Sequence, residues 1–178
     1  MVCKRCILAV EQTLKELNIP YHSVHLGTAI VGLPKEKIDM KLLGEKLYEI
    51  GFELLTDRRE QLVEHIKILV IDYIHHRGVR KKKISEYLTE HLHKDYSTLS
   101  KVFSNSEGIT IEKYVILQKV EKIKELLTYN ELSIKEIADR LDYSSVQHLS
   151  AQFKKITGLT PTQFKKSRRP RLFIDQIK

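Results

Sequence analysis

The sequence has few of the residues on which several classes of protein depend. It contains only two cysteines, too few for a disulfide-stabilised scaffold, so we expect a cytoplasmic protein with reduced thiols. The longest apolar run, residues 66–74, is interrupted by Lys67 and Asp72. It is far shorter than the roughly 18–20 residues that a membrane-spanning helix needs. Nor do the first residues resemble a signal peptide, because Glu11 interrupts their short apolar patch.

The sequence also offers little for catalysis. No Ser/His/Asp set is apparent, and seven glycines leave little from which to build a phosphate-binding loop. An enzyme that transfers alkyl groups to a zinc-bound thiol would need about four cysteines. We therefore expect a binding protein and not an enzyme.

Charge is distributed unevenly along the chain. Residues 1–60 hold nine basic and nine acidic side chains, so the whole net charge of +8 lies in residues 61–178. This asymmetry is expected of a neutral module joined to one that binds nucleic acid. A basic but inert surface would give the same balance, so charge alone leaves both interpretations open.

The basic part of the chain contains an internal repeat. Residues 84–114 (the first repeat) and 134–164 (the second repeat) align without a gap at an offset of 50. The apolar spacing of each copy predicts a helix, a turn and a second helix. Seven positions are identical: Ile84/Ile134, Glu86/Glu136, Leu99/Leu149, Ser100/Ser150, Phe103/Phe153, Gly108/Gly158 and Thr110/Thr160.

Helix boundaries are clearest in the second repeat. Ser133 and Glu136 have the spacing of a capping box, and the turn over 142–144 is followed by a helix that Ser144 or Ser145 caps. Gly158 ends that helix. Thr160-Pro161 then begins another, because Thr caps helices and Pro suits their first turn.

A long helix is predicted between the two repeats. Residues 111–130 keep apolar side chains at helical spacing. About 18 helical residues make a spacer of roughly 27 Å. Two helix-turn-helix units so spaced would place their second helices in successive major grooves, about 34 Å apart, so that one monomer reads two adjacent segments of DNA.

Residues 66–166 resemble the DNA-binding domain of AraC/XylS-type transcription regulators. The resemblance rests on the two repeats, on KVEKIKELL in the connecting helix and on LSIKEIADRLDYSSVQHLSAQFKKITGLTP in the second copy. It implies that the second helix of each repeat enters the major groove. The residues that it brings near bases or backbone are Ser97, Thr98, Ser100 and Lys101, then Val146, Gln147, His148 and Ala151, with Lys154 and Lys155 on the same outward side.

The chain departs from that family at three positions. Asp142 replaces the usual turn glycine, which Asp tolerates because it adopts the left-handed conformation. Ala151 replaces a common arginine, so we expect the second repeat to read bases less than the first. Lys119 replaces a frequent arginine in the connecting helix. Ahead of the first repeat, the basic run 80–83 is expected to contact phosphate.

The first 58 residues predict a different domain. Their pattern is a helix over 6–17, strands over 21–26 and 28–31, a helix ending at Gly51, and a strand over 52–55. With Cys3 and Cys6 two residues apart, this pattern resembles heavy-metal-associated domains of copper chaperones and metal-transport ATPases. The resemblance implies a ferredoxin-like βαββαβ fold. The first strand of that fold is missing, and we expect it upstream of Met1; the alternatives are that another segment fills the gap or that the domain pairs with a partner.

The resemblance implies that Cys3 and Cys6 bind a soft metal ion. Two thiolates near a helix N-terminus suit Cu(I) or Zn(II). Cu(I) tolerates two ligands, whereas Zn(II) prefers four. A redox dithiol and a cysteine pair that binds nothing remain alternatives. The histidine pairs 75–76 and 91/93 are expected on helix surfaces and not as ligands.

These patterns together predict an α+β domain over 1–58, an all-α DNA-binding domain over 59–166 and a basic and apolar tail over 167–178. The predicted function is sequence-specific transcription regulation, responsive to a soft metal ion through the cysteine pair. The alternative is a DNA-binding regulator whose first domain only mediates dimerisation or partner binding. Double-stranded DNA is the expected partner, together with a homodimer partner and, for an activator, RNA polymerase; we expect no membrane partner.

Overall fold

A computed structural model of the chain describes residues 4–76 and 82–167. The chain divides into two compact units between Ile68 and Leu69, which we name the N-terminal domain and the C-terminal domain. Cys3, Lys81 and the tail from Arg168 onward lie outside the described residues. Among the helices that are described, none combines the length and the apolar character needed to cross a membrane.

The N-terminal domain packs helices against a β-hairpin. Strands β1 and β2 are antiparallel and pair Val24 with Ala29 and His25 with Thr28 around a turn at Gly27. The core is formed by Val10, Leu14, Ile19, Val24, Ile38, Leu43 and Leu47. The elements are α1 (Lys4–Glu16), β1 (Tyr21–His25), β2 (Thr28–Val31), a 3-10 turn (Lys35–Lys37), α2 (Met40–Glu49) and the first part of α3 (Arg58–Ile71).

Helix α2 ends in the manner that its sequence predicts. Gly51 has a φ of 81° and donates its N–H to the Tyr48 carbonyl, while the Phe52 N–H bonds to the Leu47 carbonyl. These two hydrogen bonds form a Schellman motif, in which a left-handed residue satisfies the last carbonyls of a helix. Asn18 ends α1 with the same pair of bonds, so both helices return the chain to the core through an apolar residue, Ile19 or Phe52.

The strand predicted over 52–55 is absent from the structure. The Phe52 N–H is bonded to helix α2, and the Leu55 carbonyl accepts a hydrogen bond from the Gln61 side chain. The backbone at both ends of the segment therefore bonds to helices and not to a strand. Phe52 and Leu54 still pack against the core, as the apolar pattern predicts. The described sheet has two strands, and the ferredoxin-like fold is not confirmed.

The C-terminal domain repeats one arrangement twice. After a π-helical turn (Asp72–His76), its helices are α4 (Ile84–Leu92), α5 (Tyr96–Glu107), α6 (Ile111–Tyr129), α7 (Ile134–Arg140), α8 (Val146–Thr157) and α9 (Pro161–Ser167). Helices α5 and α8 have 12 residues each and begin 50 residues apart. Helices α6 and α9 also begin 50 residues apart. The repeat predicted from the sequence is therefore a structural repeat. Its first helices differ in length, because α4 has nine residues and α7 has seven.

The two repeats share the same buried contacts. Leu99 and Phe103 in α5 are fully buried, as are their counterparts Leu149 and Phe153 in α8. The Phe103 ring lies 5.5 Å from that of Tyr114, and the Phe153 ring lies 5.6 Å from that of Phe164. Each second helix is thereby fixed to the helix that follows it.

Helix α6 is the centre of the C-terminal domain. Its 19 residues make a rod of about 28 Å. Ten of them are buried, including the polar side chain of Gln118. The His75 side chain, expected on a surface, is only 3% exposed, and its Nε2 lies 3.1 Å from Gln118 Oε1. His75 belongs to the π-helical turn, where the spacing of side chains differs from the 3.6 residues of a regular helix.

The end of α7 provides a test of the fold. Asp142 has a φ of 56°, which confirms its left-handed conformation. The next residue, Tyr143, donates its N–H to the Ala138 carbonyl. We expect Asp142→Val to lower the free energy of unfolding by about 1–2 kcal/mol, because a β-branched residue is strained there. Asp142→Gly should be as stable as the wild type or slightly more stable. Urea unfolding measures both changes.

Asp142→Asn is the matched control, because Asn keeps the left-handed preference without the charge. It should unfold close to the wild type. Equal losses in the Asn, Gly and Val variants would show that the carboxylate, and not the backbone conformation, stabilises the turn.

Candidate nucleic-acid interface

The predicted contact residues of the first repeat lie together at the start of α5. Ser97, Thr98 and Lys101 are exposed, and Ser100 is half-buried. Residues 97 and 101 are four apart and share one face of the helix, opposite the buried Leu99 and Phe103. A surface of hydroxyl groups and one ammonium group can bond to base edges and phosphates.

Asp95 holds two of these hydroxyl groups. Its Oδ1 accepts hydrogen bonds from the Ser97 hydroxyl at 2.5 Å and from the Thr98 N–H at 2.8 Å, and its Oδ2 accepts one from the Thr98 hydroxyl at 2.7 Å. These bonds, with that from Ser97 the strongest, lower the pKa of Asp95 to about 2. Asp95 was not among the residues predicted from the sequence, although an Asp two and three residues before Ser and Thr is a recognisable helix cap.

The predicted contact residues of the second repeat lie along α8. Gln147, His148 and Ala151 are exposed, and Val146 is half-buried. Lys154 and Lys155 are exposed one turn further along. The structure therefore brings all ten predicted contact residues to the two second helices. The same face carries an amide, an imidazole and two ammonium groups, all of which can donate hydrogen bonds to DNA.

The cap of α8 carries no charge. Ser145 accepts the His148 N–H at 3.1 Å, and the Ser144 hydroxyl lies 3.0 Å from His148 Nδ1. Of the two serines offered by the sequence, Ser145 is thus the cap. The N-terminus of α8 therefore keeps its partial positive charge, whereas Asp95 offsets that of α5.

The two repeats differ in charge as well as in their caps. Residues 84–114 contain three lysines and five acidic residues, whereas residues 134–164 contain four basic and three acidic residues. Formal charge is therefore −2 in the first repeat and +1 in the second. A polyanion is attracted more strongly to the second.

Lys119 connects α6 to the turn of the second repeat. Its Nζ donates a hydrogen bond of 2.6 Å to the Leu141 carbonyl and lies 4.9 Å from the centre of the Tyr143 ring. Tyr143 in turn donates its hydroxyl to Gln152 of α8 at 2.6 Å. Burial lowers the pKa of Lys119, and burial raises the pKa of Tyr143 to about 12. Lys119 thus positions the turn that orients α8.

The first repeat is connected by different residues. The Tyr96 hydroxyl donates to Glu112 in the first turn of α6 at 2.5 Å, and burial raises the pKa of that hydroxyl. The Tyr87 hydroxyl in α4 donates to Asp72 in the π-helical turn at 2.7 Å. Phenol groups therefore connect the first repeat to α6 and to the π-helical turn, whereas the Lys119 ammonium group connects α6 to the second repeat.

The metal-site prediction concerns the other domain. Cys6 is partly buried in the first turn of α1, and Cys3 lies outside the described residues. Within residues 4–76 and 82–167, no group of three or more His, Cys, Asp or Glu side chains is placed to hold a metal. Cys6 therefore belongs to no such group among these residues, and a zinc site prefers four ligands. Metal binding by the cysteine pair stays a prediction.

The C-terminal domain is similar to known proteins. A family described as "Helix-turn-helix domain" matches residues 88–167. The C-terminal domain of AraT, a response regulator from Geobacillus stearothermophilus, has a TM-score of 0.53 and 27% identity, and the match covers 66% of this chain and 93% of that one. A DNA-binding transcriptional dual regulator from Escherichia coli K-12 shares the fold, with a TM-score of 0.52 and 17% identity over 65% of this chain and 96% of that one.

Several relatives match most of the chain. The Xylose operon regulatory protein of Haemophilus influenzae is 30% identical over 173 residues, which cover 90% of this chain and 44% of that protein. Because only a tenth of this chain is unmatched, the similarity extends into the N-terminal domain. The chain spans less than half the length of this relative.

The hydrogen bond from the Ser97 hydroxyl to the Asp95 carboxylate can be tested directly. We expect Ser97→Ala to raise the pKa of Asp95 toward its ordinary value, because the strongest hydrogen bond to the carboxylate is lost. Carbon-detected NMR titration of the Asp95 carboxyl group would show the change. Ser104→Ala, on the same helix but away from the cap, is the control. An unchanged Asp95 pKa in Ser97→Ala would contradict the cap geometry.

The role of Lys119 gives a second prediction. Lys119→Met should lower the free energy of unfolding by about 1–3 kcal/mol, because the Leu141 carbonyl loses a charged donor. Lys119→Arg should lose less, since a guanidinium can donate to the carbonyl and stack on Tyr143. The control is Lys113→Met, at an exposed position of the same helix. Equal stability of the Met variants at 119 and 113 would show that Lys119 does not hold the turn.

Proposed function

We propose that the chain is a sequence-specific DNA-binding transcription regulator of the AraC type, because residues 88–167 match a helix-turn-helix family and the C-terminal domain is similar to that of the response regulator AraT. The observation that carries the proposal is the repeat itself. Two helices, α5 and α8, are each held by a buried leucine and phenylalanine and expose polar faces at corresponding positions. A non-binding helical bundle would have no need to repeat an exposed face. Its proposed partner is double-stranded DNA and its proposed location is the cytoplasm.

In the proposed complex, α5 and α8 enter neighbouring major grooves. The N-terminal residues of a recognition helix contact base edges. We therefore expect the bases to be contacted by Ser97 and Thr98 in the first repeat and by Gln147 and His148 in the second. A glutamine amide suits adenine, and a hydroxyl group accepts several base edges. Lys101 lies one turn further along α5.

The two repeats are assigned unequal shares of the binding energy. Lys154 and Lys155 lie in the last turns of α8, where an ammonium group reaches phosphate while the start of the helix occupies the groove. The first repeat has a charged cap and a net negative charge. The salt-dependent affinity therefore comes mainly from the second repeat, and the first repeat contributes chiefly to selectivity.

The N-terminal domain is assigned the regulatory part of this activity. Its inclusion in the match with a regulatory protein supports that role. The metal-responsive form of the proposal rests on Cys3 and Cys6 and on the position of Cys6 at the start of α1, where a thiolate is favoured. In the alternative form, the domain mediates dimerisation or binds a partner such as RNA polymerase.

The DNA contacts are tested by salt dependence. We expect Lys154→Ala and Lys155→Ala each to weaken binding to all DNA sequences alike, and to reduce the slope of log affinity against log salt by about 0.9, because one phosphate contact is lost. Gln147→Ala should instead reduce the preference for the target over random DNA. Fluorescence anisotropy at several salt concentrations, with fragments from upstream of the gene, measures both effects.

Lys41→Ala is the matched control for these variants. The Lys41 side chain is 89% exposed and lies in the N-terminal domain, on α2. Its removal should leave affinity and slope unchanged. If the slope of log affinity against log salt is the same in the wild type, Lys154→Ala and Lys155→Ala, the proposal that these lysines of α8 contact DNA is contradicted.

The metal-responsive form makes its own prediction. With reduced protein at one fixed salt concentration, Cu(I) or Zn(II) should change the affinity for DNA, and Cys3→Ser should abolish the change. The DNA affinity of Cys3→Ser without metal should equal that of the wild type, because the cysteines are remote in sequence from the DNA-binding repeats. If neither metal changes the affinity for DNA, the metal-responsive form is wrong, and dimerisation or partner binding becomes the proposed role of the N-terminal domain.

A further inference from the structure

The start of α5 carries two hydroxyl groups whose hydrogen atoms are already engaged. The Ser97 hydroxyl donates to Asp95 Oδ1 at 2.5 Å, and the Thr98 hydroxyl donates to Asp95 Oδ2 at 2.7 Å. Both side chains are exposed. A hydroxyl group has one hydrogen atom to donate and two lone pairs that accept. Because the hydrogen atom is bonded to Asp95, each of these groups keeps only its capacity to accept.

The Asp95 carboxylate cannot reverse the direction of these bonds. The hydrogen bonds from Ser97 and Thr98 lower the pKa of Asp95 to about 2, so the group is ionised at neutral pH. An ionised carboxylate accepts hydrogen bonds and donates none. Its Oδ1 also accepts the Thr98 N–H at 2.8 Å, which caps α5. The residue that begins the helix therefore also sets the hydrogen-bonding direction of both hydroxyl groups.

The direction of these bonds limits the DNA atoms that the hydroxyl groups can contact. Phosphate oxygens accept hydrogen bonds, so a hydroxyl group whose hydrogen atom is engaged cannot bond to them. The charge of Asp95 is also repelled by phosphate. In the major groove, the donors are the N6 amino group of adenine and the N4 amino group of cytosine. Lys101, one turn further along α5, supplies a donor for phosphate.

The second repeat has a different arrangement at the corresponding positions. Ser145 stands where Asp95 stands in the first repeat, and its hydroxyl oxygen accepts the His148 N–H at 3.1 Å. The cap of α8 is therefore a neutral hydroxyl group and not a carboxylate. The exposed Gln147 amide can both donate and accept. The restriction to accepting thus belongs to the first repeat.

We propose that Asp95 makes α5 selective for exocyclic amino groups, because it restricts Ser97 and Thr98 to accepting hydrogen bonds from adenine N6 or cytosine N4. This inference rests on the proposed function and adds the chemical group that the first repeat recognises. Asp95 is a positioning residue, since it acts on DNA through the two hydroxyl groups. The contacted strand carries adenine or cytosine at that position. Guanine and thymine present a carbonyl oxygen there, which cannot donate.

The test measures binding of the full chain to its target by fluorescence anisotropy while single bases are replaced. Purine in place of adenine, or 2-pyrimidinone in place of cytosine, removes only the amino group. At the contacted base we expect binding to weaken about three- to tenfold, because one hydrogen bond is lost. A loss with purine identifies adenine, and a loss with 2-pyrimidinone identifies cytosine. In the variant without the contacting hydroxyl group, Ser97→Ala or Thr98→Val, the same replacement should cost nothing further.

Asp95→Asn tests the positioning role separately. Asn caps helices as well as Asp does, so we expect α5 to be kept. The Asn side chain donates through its NH₂ group, and a hydroxyl group that accepts from it regains a hydrogen atom for DNA. The variant should therefore lose most of the preference for the amino base over the corresponding carbonyl base. Asp139→Asn is the matched control, because it removes an exposed carboxylate from α7 and should keep that preference.

Equal base preference in Asp95→Asn and the wild type would overturn the inference. So would a target in which removal of no amino group weakens binding. Ser97→Ala and Thr98→Val variants that weaken binding to all DNA sequences alike would overturn it too, since the hydroxyl groups would then contact phosphate. These results would leave the proposed function intact. A chain that binds no upstream fragment in preference to random DNA would contradict the proposed function and the inference together.

Discussion

A leucine and a phenylalanine four residues later fix each of the helices α5 and α8 in place, and the rest of the C-terminal domain depends on this contact. In α5 and in α8 both side chains are fully buried, and each phenyl ring packs on an aromatic ring of the following helix. Burying a pair of this size stabilises by several kcal/mol, on the order of 3–6. Because one side of each helix is fixed inward, the opposite side is determined too, and that side carries the polar residues.

The same frame supports two different surfaces. The caps differ, with a carboxylate at Asp95 and a hydroxyl at Ser145, and so does the balance of charge. The contacts that orient the helices differ as well, since Lys119 serves the second repeat and Tyr96 serves the first. The buried contacts can therefore stay constant while the two exposed faces differ. In the proposed complex, each face contacts its own segment of DNA, so that a single chain covers a longer site.

Features set by neighbouring residues could be predicted from the sequence. The capping box at Ser133, the left-handed Asp142 and the helix end at Gly158 each depend on a few adjacent positions. The strand at 52–55 could not be judged in this way, because a strand exists only when another edge is present to pair with it. His75 was predicted on a helix surface, but it lies in a π-helical turn and its side chain is buried. The positioning role of Lys119 depends on a carbonyl 22 residues away.

The central claim is that one chain reads two adjacent segments of DNA through α5 and α8. Helix α6, at about 28 Å, is close to the length of one turn of DNA, about 34 Å. Hydroxyl-radical footprinting on the target fragment tests this most directly. The account predicts two protected segments on one face of the duplex, their centres about 10 base pairs apart, at protein concentrations where one chain is bound. A single protected segment, unchanged by substitutions on one of the two helices, would contradict it.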